Sequence, residues 1–175
     1  MSKTILYIAC TLDGFIARED GSVDFLDRFN KIGEDHGFDD LLTRISAIVM
    51  GNTTFQEYSG GEKFYEYYKG KELYVFSREV KEEHDKVTFV NENVRTFLEN
   101  LQTEKDVWLL GGGKIIEVFH NESLIDEYII SIVPSVIGQG IPLFRQSVVE
   151  SNLELVRSQS FETGIVNLHY KKITP

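Results

Sequence analysis

Three glycines and a lysine, Gly111-Gly112-Gly113-Lys114, separate an apolar run from an amphipathic one in the segment LLGGGKIIEVF, residues 109–119. Glycine has no Cβ, so a bulky ligand can come close to the backbone there. A helix is predicted from Lys114 to Phe119, and its first turn offers unpaired N–H groups and about half a unit of positive charge. A phosphate or pyrophosphate suits such a place, and Lys114 adds a cation at its mouth. A tight strand-to-helix turn without any ligand is the plainer alternative. Two common phosphate loops are excluded by spacing. A Walker loop needs glycine where Trp108 stands, and a dinucleotide fingerprint of the G-x-G-x-x-G type needs glycine where Ile116 stands.

A second junction of the same kind lies in AIVMGNTTF, residues 47–55. Gly51 ends an apolar run, and Asn52, Thr53 and Thr54 follow with small polar side chains at the start of a predicted helix. A third apolar run ends in Phe76-Ser77-Arg78, which offers a hydroxyl and a guanidinium. In an α/β sheet, ligands sit beyond the carboxyl ends of the strands. Two glycine-headed helices and one Ser-Arg edge therefore make a cradle for a dinucleotide with several phosphates. Thr53 could equally be a helix cap, and Arg78 a solvated surface charge.

Other chemistry finds little footing. His36, His84, His120 and His169 are isolated and show no metal-ligand spacing. There is no G-x-S-x-G, and the single cysteine, Cys10, falls inside an apolar strand, where thiols are inert. Asp13 reads as a turn former. The run KEEHDK, residues 81–86, reads as a solvated loop. The aromatic run FYEYY, residues 64–68, could stack on a flat heterocycle, with packing or a subunit contact as the blander role.

The elements that must hold these groups alternate in type. Thr4–Thr11 reads as a strand buried on both faces, and Leu12–Asp24 as a long surface loop interrupted by Phe15-Ile16-Ala17. Phe38, Leu41, Leu42 and Ile45 recur at helical spacing. Strands are predicted at 47–50, 72–77, 86–90 and 107–110, and helices at 53–58 and 93–100, the latter capped by Asn93. Glu127–Ile137 reads as one long apolar strand. Residues 152–161 and 165–172 alternate at period two around Thr163-Gly164 and form a terminal hairpin. The expected architecture is α/β: one domain over residues 1–175, a mostly parallel central sheet flanked by helices, with a C-terminal antiparallel hairpin.

Composition narrows the partners. Eighteen basic against 28 acidic residues leave a net charge of −10, which repels nucleic acid and anionic lipid. No apolar run approaches the roughly 20 residues of a membrane span. One cysteine cannot form an intramolecular disulfide, and a reducing, cytoplasmic compartment is the simpler expectation. A small-molecule substrate, with neither nucleic acid nor membrane as partner, is the class that remains.

The three junctions, in this order, resemble dihydrofolate reductase and its relatives, among them the reductase domain of the bifunctional riboflavin-biosynthesis deaminase–reductase. The likeness covers nearly the whole chain. It runs through Ala9, the segment Leu12 to Ala17, Ile48 to Gly51 with Thr54, Tyr74 to Ser77, and Leu110 to Lys114. The segment VIGQGIPLF, residues 136–144, is similar to one in the riboflavin-type reductases.

The resemblance implies NADPH as cofactor. On it, Gly111, Gly112, Gly113, Lys114 and Ile115 would hold the pyrophosphate, with Gly51, Asn52, Thr53 and Thr54 on the other side. Ser77 and Arg78 would lie by the adenosine and its extra phosphate. Ala9, Ile16 and Leu110 would line the nicotinamide pocket. The chain departs from its relatives at Asn52, where arginine is common, so selection for the 2′-phosphate falls to Arg78 and Lys114. It departs again at Leu110, where the riboflavin-type reductases carry glutamate, and at Tyr7, where they carry lysine. Matching the pterin-holding carboxylate of dihydrofolate reductase points to Asp35 without gaps, and helix phase also allows Asp39. These two are the candidate catalytic acids.

The implied activity is hydride transfer to a small heterocycle, either pterin-like or resembling 5-amino-6-(5-phosphoribosylamino)uracil. A non-catalytic nucleotide-binding or regulatory domain of the same fold is the alternative. The riboflavin-type relatives also suggest a homodimer, with Glu127–Ile137 supplying part of the interface.

Overall fold

A computed structural model describes residues 2–30, 33–58, 62–79, 84–145 and 149–173. Its centre is an eight-stranded sheet. In chain order the strands are β1 (Thr4–Thr11), β3 (Ile45–Gly51), β4 (Glu72–Phe76), β5 (Thr88–Val90), β6 (Asp106–Gly111), β7 (Glu127–Val133), β9 (Leu153–Ser160) and β10 (Val166–Lys172). Their spatial order is β5-β4-β3-β6-β1-β7-β10-β9. The six strands from β5 to β7 pair in parallel, and β10 and β9 close one side antiparallel. The expected mostly parallel sheet with a terminal antiparallel pair is the fold observed.

Period-two alternation builds a core on each face. From β1, Leu6 joins Val94, Phe97, Ile116 and Phe119 of helices α5 (Val94–Asn100) and α6 (Gly113–Asn121). Its neighbour Ile5 points the other way, towards Leu41 and Phe55 of α2 (Phe38–Arg44) and α3 (Asn52–Tyr58). A further short helix, α4 (Glu62–Tyr67), adds aromatic rings to that second core. Asn93 caps α5 as expected, its side chain accepting from Arg95 N at 2.8 Å.

Three expectations need correction. Leu12–Asp24 is not wholly a loop: Phe15–Ala17 forms strand β2, paired antiparallel with β8 (Ile141–Pro142), and Ile16 and Ala17 are buried. Apolar content was visible there, but its partner lies more than 120 positions away. The helix at 38 stops at Arg44, because Ile45 is already extended and opens β3. The apolar run from Glu127 leaves the sheet after Val133, one residue before Pro134, which has no N–H to pair. Strand β7 lies inside the sheet, hydrogen-bonded on both edges, so it offers no free edge to a second subunit. Residues 25–30, unassigned by pattern, join Asp24 in a 3-10 turn (Asp24–Leu26) and form helix α1 (Asp27–Asn30). They seat Phe25 and Phe29 against Val133 and Ile165. Of the KEEHDK run, residues 81–83 lie outside the described residues.

The amino ends of the strands are tied by charge. The Glu127 carboxylate is buried and accepts from Lys3 Nζ at 2.7 Å, Arg44 Nη2 at 2.8 Å and His169 Nε2 at 2.9 Å. Burial alone would push its acidity down; the hydrogen bonds from Lys3, Arg44 and His169 overcome it and bring the pKa from 4.5 to about 2. A carboxyl depressed in the fold stabilises it above the unfolded pKa and loses that contribution as pH falls towards 2. Glu127→Gln should therefore cost about 2 kcal/mol, or about 4–8 °C in melting temperature at pH 7. The gap between wild type and variant should close when melting is repeated between pH 4.5 and 2. An equal gap at both ends would refute the assignment.

Candidate functional site

The carboxyl ends of β1, β3, β4, β5 and β6 open into one cleft of about 1310 Å³. Each strand ends where its sequence changes from apolar to small or polar, so the chain turns and leaves backbone exposed. Ala9, Gly51, Ser77, Asn91 and Gly112 mark these ends, and all line the cleft.

The glycine turn has a defined architecture. Gly111 ends β6 at φ 118°, a left-handed conformation that only glycine adopts without strain. Gly112 donates its N–H to the Thr54 hydroxyl at 2.9 Å, joining the turn to the start of α3. The Gly112 carbonyl accepts from Ile115 N and Ile116 N, which starts α6. A Cβ on Gly113 would come within 3.2 Å of the Ile141 side chain. Of the three glycine amides, one is committed to Thr54. The amides of Gly113 and Lys114 belong to the first turn of α6, where no carbonyl precedes them.

The cleft is roofed by the segment between β1 and α1. Thr11 Oγ1 accepts from Phe15 N at 3.0 Å, and the Asp13 carboxylate accepts from Ile137 N and Gly138 N. Hydrogen bonds from the Thr11 side chain and from the Gly138 and Ile137 amides hold the Asp13 carboxyl below its ordinary value. Leu143 N donates to Gly14 O at 2.9 Å, and Gly140 lies against the Ala17 carbonyl. On its other side Gly21, at φ 91°, lies against the Glu57 carboxylate of α3.

One end of the cleft is aromatic. Tyr7, Phe64, Tyr67, Tyr68 and Trp108 line it, and Phe38 stacks on Tyr67 behind them with centroids 5.8 Å apart. Trp108 Nε1 donates to Tyr7 O at 3.0 Å. Burial pushes the Tyr7 and Tyr68 phenols up to about 12, so both keep their protons at neutral pH. The FYEYY run thus supplies packing and cleft lining together.

The structure brings Ala9, Ile16, Gly51, Asn52, Thr53, Thr54, Ser77, Arg78, Leu110, Gly112, Gly113, Lys114 and Ile115 to this single cleft. Gly111 lies just beneath, buried in the turn. Asp35 and Asp39 do not line it. Asp35 is exposed, and its two oxygens accept from Gly37 N at 3.2 Å and Asp39 N at 2.9 Å at the start of α2. Those backbone bonds, that from Asp39 first, lower its pKa. Asp39 is likewise exposed, in the first turn of α2. Burial pushes the Cys10 thiol up to about 11, with Asp13 adding to the effect, as expected for an inert thiol.

Pattern reading missed Tyr7, Glu57, Lys63, Asn91 and Arg145, which also line the cleft. Two of these had a signal. Tyr7 is two residues from Ala9 and so shares its face, and Asn91 follows the end of β5 as Ser77 follows β4.

The sequence matches the RibD C-terminal domain family over residues 2–167. The chain belongs to this family. Two curated relatives are the uncharacterized proteins YwjB and YyaP of Bacillus subtilis (strain 168). YwjB is 39% identical over 171 residues, covering 96% of this chain and 97% of that one. YyaP is 33% identical over 180 residues, covering 96% and 94%. Among solved structures, a candidate riboflavin biosynthesis protein from Shewanella sp. PV-4 matches with a TM-score of 0.87 at 27% identity, covering 98% of this chain and 99% of that one. The Thermotoga maritima diaminohydroxyphosphoribosylaminopyrimidine deaminase/5-amino-6-(5-phosphoribosylamino)uracil reductase matches with a TM-score of 0.71 at 18% identity. It covers 98% of this chain and 57% of that longer one. The fold is the dihydrofolate reductase-like fold of the RibD-type reductases. Among the described residues, no helix is long and apolar enough to cross a membrane, and no group of three or more potential metal ligands occurs.

Two substitutions test this geometry. Thr54→Val removes the acceptor of the Gly112 N–H and should cost about 1–2 kcal/mol, read as a fall in melting temperature of about 2–8 °C. Gly140→Ala drives a methyl group into the Ala17 carbonyl and should loosen the roof. Trypsin cleavage after Arg18 should then accelerate relative to wild type, and an unchanged rate would contradict the β2–β8 contact.

Proposed function

We propose that this protein is an NADPH-dependent reductase that transfers a hydride to a small heterocycle of the pyrimidine or pterin kind, within riboflavin-type chemistry. The observation that carries the reading is the continuity of the cleft. It runs from Ser77 and Arg78, past Gly51–Thr54 and the Gly112–Lys114 turn, to Ala9, Ile16 and Leu110. That path has the order of parts of a dinucleotide: adenosine, phosphates, nicotinamide.

The residues present fit the group. The Gly113 and Lys114 amides at the start of the nine-residue helix α6, with the exposed Lys114 ammonium, suit a pyrophosphate. Asn52, Thr53 and Thr54 face it with small polar groups. Arg78 is exposed beside Ser77 and suits a 2′-phosphate. Ala9, Ile16 and Leu110 offer a dry, apolar wall to the reacting ring. When bound, the cofactor supplies the hydride; the protein supplies position and exclusion of water. The roof residues 12–23, pinned through Asp13 and β8, do the excluding.

The aromatic end beyond Ala9 suits a flat ring, with Tyr67 and Tyr68 as faces to stack on. A homodimer remains the expected assembly; the open sheet edge at β9 carries Leu155 and Val156, each 52% exposed.

Cofactor binding is the direct test. NADPH at a hundred times its dissociation constant should stabilise the fold by about 2.7 kcal/mol, or about 5–10 °C in melting temperature. It should also quench Trp108, which lines the cleft. Neither effect at millimolar NADPH would overturn the reading. Binding without turnover of any pyrimidine or pterin would favour a nucleotide-binding domain that does no chemistry, a second reading supported by Asp35 and Asp39 not lining the cleft.

A further inference from the structure

We propose that Tyr7 is the proton donor of the reduction, resupplied from a second cavity through a water held by Ser131 and Asn167. The inference rests on the reductase reading and fills a gap that reading leaves. Hydride addition to a C=N or C=O bond needs a proton, and neither Asp35 nor Asp39 lines the cleft.

Tyr7 lines two cavities at once. It belongs to the aromatic end of the large cleft and also to a polar pocket of about 340 Å³ beside α2. That second pocket is lined by Asp40, Arg44, Arg157, Gln159, Asn167 and His169 among others. Arg157 and Asp40 are exposed, so it is open to solvent. The Tyr7 phenol is therefore where a solvent-connected pocket meets the candidate reaction site. Along β1 it is two residues from Ala9 on the same face, roughly 7 Å from the expected nicotinamide wall.

Three strands bring polar groups to this point. Ala9 pairs with Ser131 of β7, and Ser131 pairs with Asn167 of β10. Ser131 is buried, with 4% of the residue exposed, and its Oγ makes no hydrogen bond of ordinary length and angle. Asn167 Oδ1, at the matching position of the next strand, is buried and unpartnered too. Asn167 spends its Nδ2 on the His36 carbonyl at 2.6 Å, and the Tyr7 hydroxyl donates to that same carbonyl at 3.2 Å. The Ser131 hydroxyl is near enough to act on the Tyr7 phenol. Buried polar atoms in native proteins are satisfied, by water where protein does not reach. Two orphan oxygens on adjacent strands beside a phenol define a place for one water.

The step balances. The substrate carbon receives the hydride, with its electron pair, from the reduced nicotinamide, which is oxidised. The π pair moves onto the substrate nitrogen or oxygen, and that atom takes the proton of the Tyr7 hydroxyl. The phenolate then regains a proton from the water on Ser131 and Asn167, and solvent in the second pocket replaces it. Burial keeps the phenol protonated before the step, outweighing the opposing effect of the Ser131 hydroxyl, and the Asp35 and Tyr67 charges act with burial. The 3.2 Å bond to His36 O is long, so the hydroxyl can turn to a substrate. Tyr7 is then a catalytic residue, and Ser131 and Asn167 are positioning residues.

The test has two arms. A crystal structure of the full chain with NADPH, fine enough to show waters, should place one water within hydrogen-bond distance of Ser131 Oγ and Asn167 Oδ1, in reach of Tyr7 Oη. In kinetics with dihydrofolate and the deaminated riboflavin-pathway pyrimidine as probes, Tyr7→Phe should lower kcat about 100-fold or more. KM and the NADPH-induced melting shift should stay unchanged. Ser131→Ala should lower kcat about tenfold without moving KM. A dry Ser131–Asn167 site, or a Tyr7→Phe kcat within twofold of wild type, overturns the proposal. If wild type reduces neither probe, the crystal arm decides alone. Failure of the reductase reading looks different: NADPH would not shift melting at all, whatever the water site shows.

Discussion

The hydrogen bond from Gly112 N–H to the Thr54 hydroxyl is the contact on which the cleft's shape depends. It joins two strand-to-helix turns that belong to neighbouring strands, β3 and β6. It adds a direct tie between the starts of α3 and α6 to the pairing of Met50 with Gly111, and so narrows the freedom of the groove between them. The bond also divides labour within the triple glycine. Gly111 supplies a left-handed φ, Gly112 spends its amide on Thr54, and Gly113 clears room against Ile141. A side chain at any of the three would fail for a different reason. The glycines therefore serve the turn first, and what is left over for an anion is the first turn of α6.

The roof repeats this economy. It has one short strand, β2, and that strand has only the two-residue β8 to pair with. A pairing so short is marginal alone. It is held by side-chain and backbone bonds at its borders: Asp13 to the 137–138 turn, Thr11 to Phe15, and Leu143 to Gly14. Both ends of the roof are fastened to segments that also touch the cleft floor. Closure over a ligand and formation of the glycine turn thus draw on the same few residues, with Ile141 packed against Gly113 on one side and paired with Ala17 on the other.

The glycine-turn side of the cleft was legible in the sequence because it is built from local junctions. An apolar strand, a glycine and a helix start are contiguous, and the carboxyl-end rule then gathers separate junctions into one place. Gly51, Thr54, Ser77 and Gly112 follow from that reasoning alone. The roof was half legible: Phe15-Ile16-Ala17 showed apolar content, but pairing with Ile141 is non-local and leaves no periodic trace in three residues. The same holds for Phe25 and Phe29, whose helical turns are too short for a period to emerge. The polar pocket behind Tyr7 was not legible at all. It is assembled from β1, α2, β7, β9 and β10, and its members are ordinary residues in each.

Asp35 and Tyr7 hold their protons under opposite conditions. A carboxyl at the start of a helix is stabilised as an anion by the backbone amides it accepts from, and Asp35 accepts from two. Every such bond makes it a poorer keeper of a proton at neutral pH, so the local rule that places aspartate there also removes it as an acid. To act as an acid it would have to be buried without donors, and it is exposed. A phenol reverses the logic: burial raises its pKa and keeps the proton on until a basic atom develops beside it. On an interior strand of the sheet, Tyr7 is half-buried where Asp35 is exposed, and the period-two rule gives it the face of Ala9. A phenol on the sheet, at the cleft floor, is thus held protonated at neutral pH where a helix-start carboxylate is not.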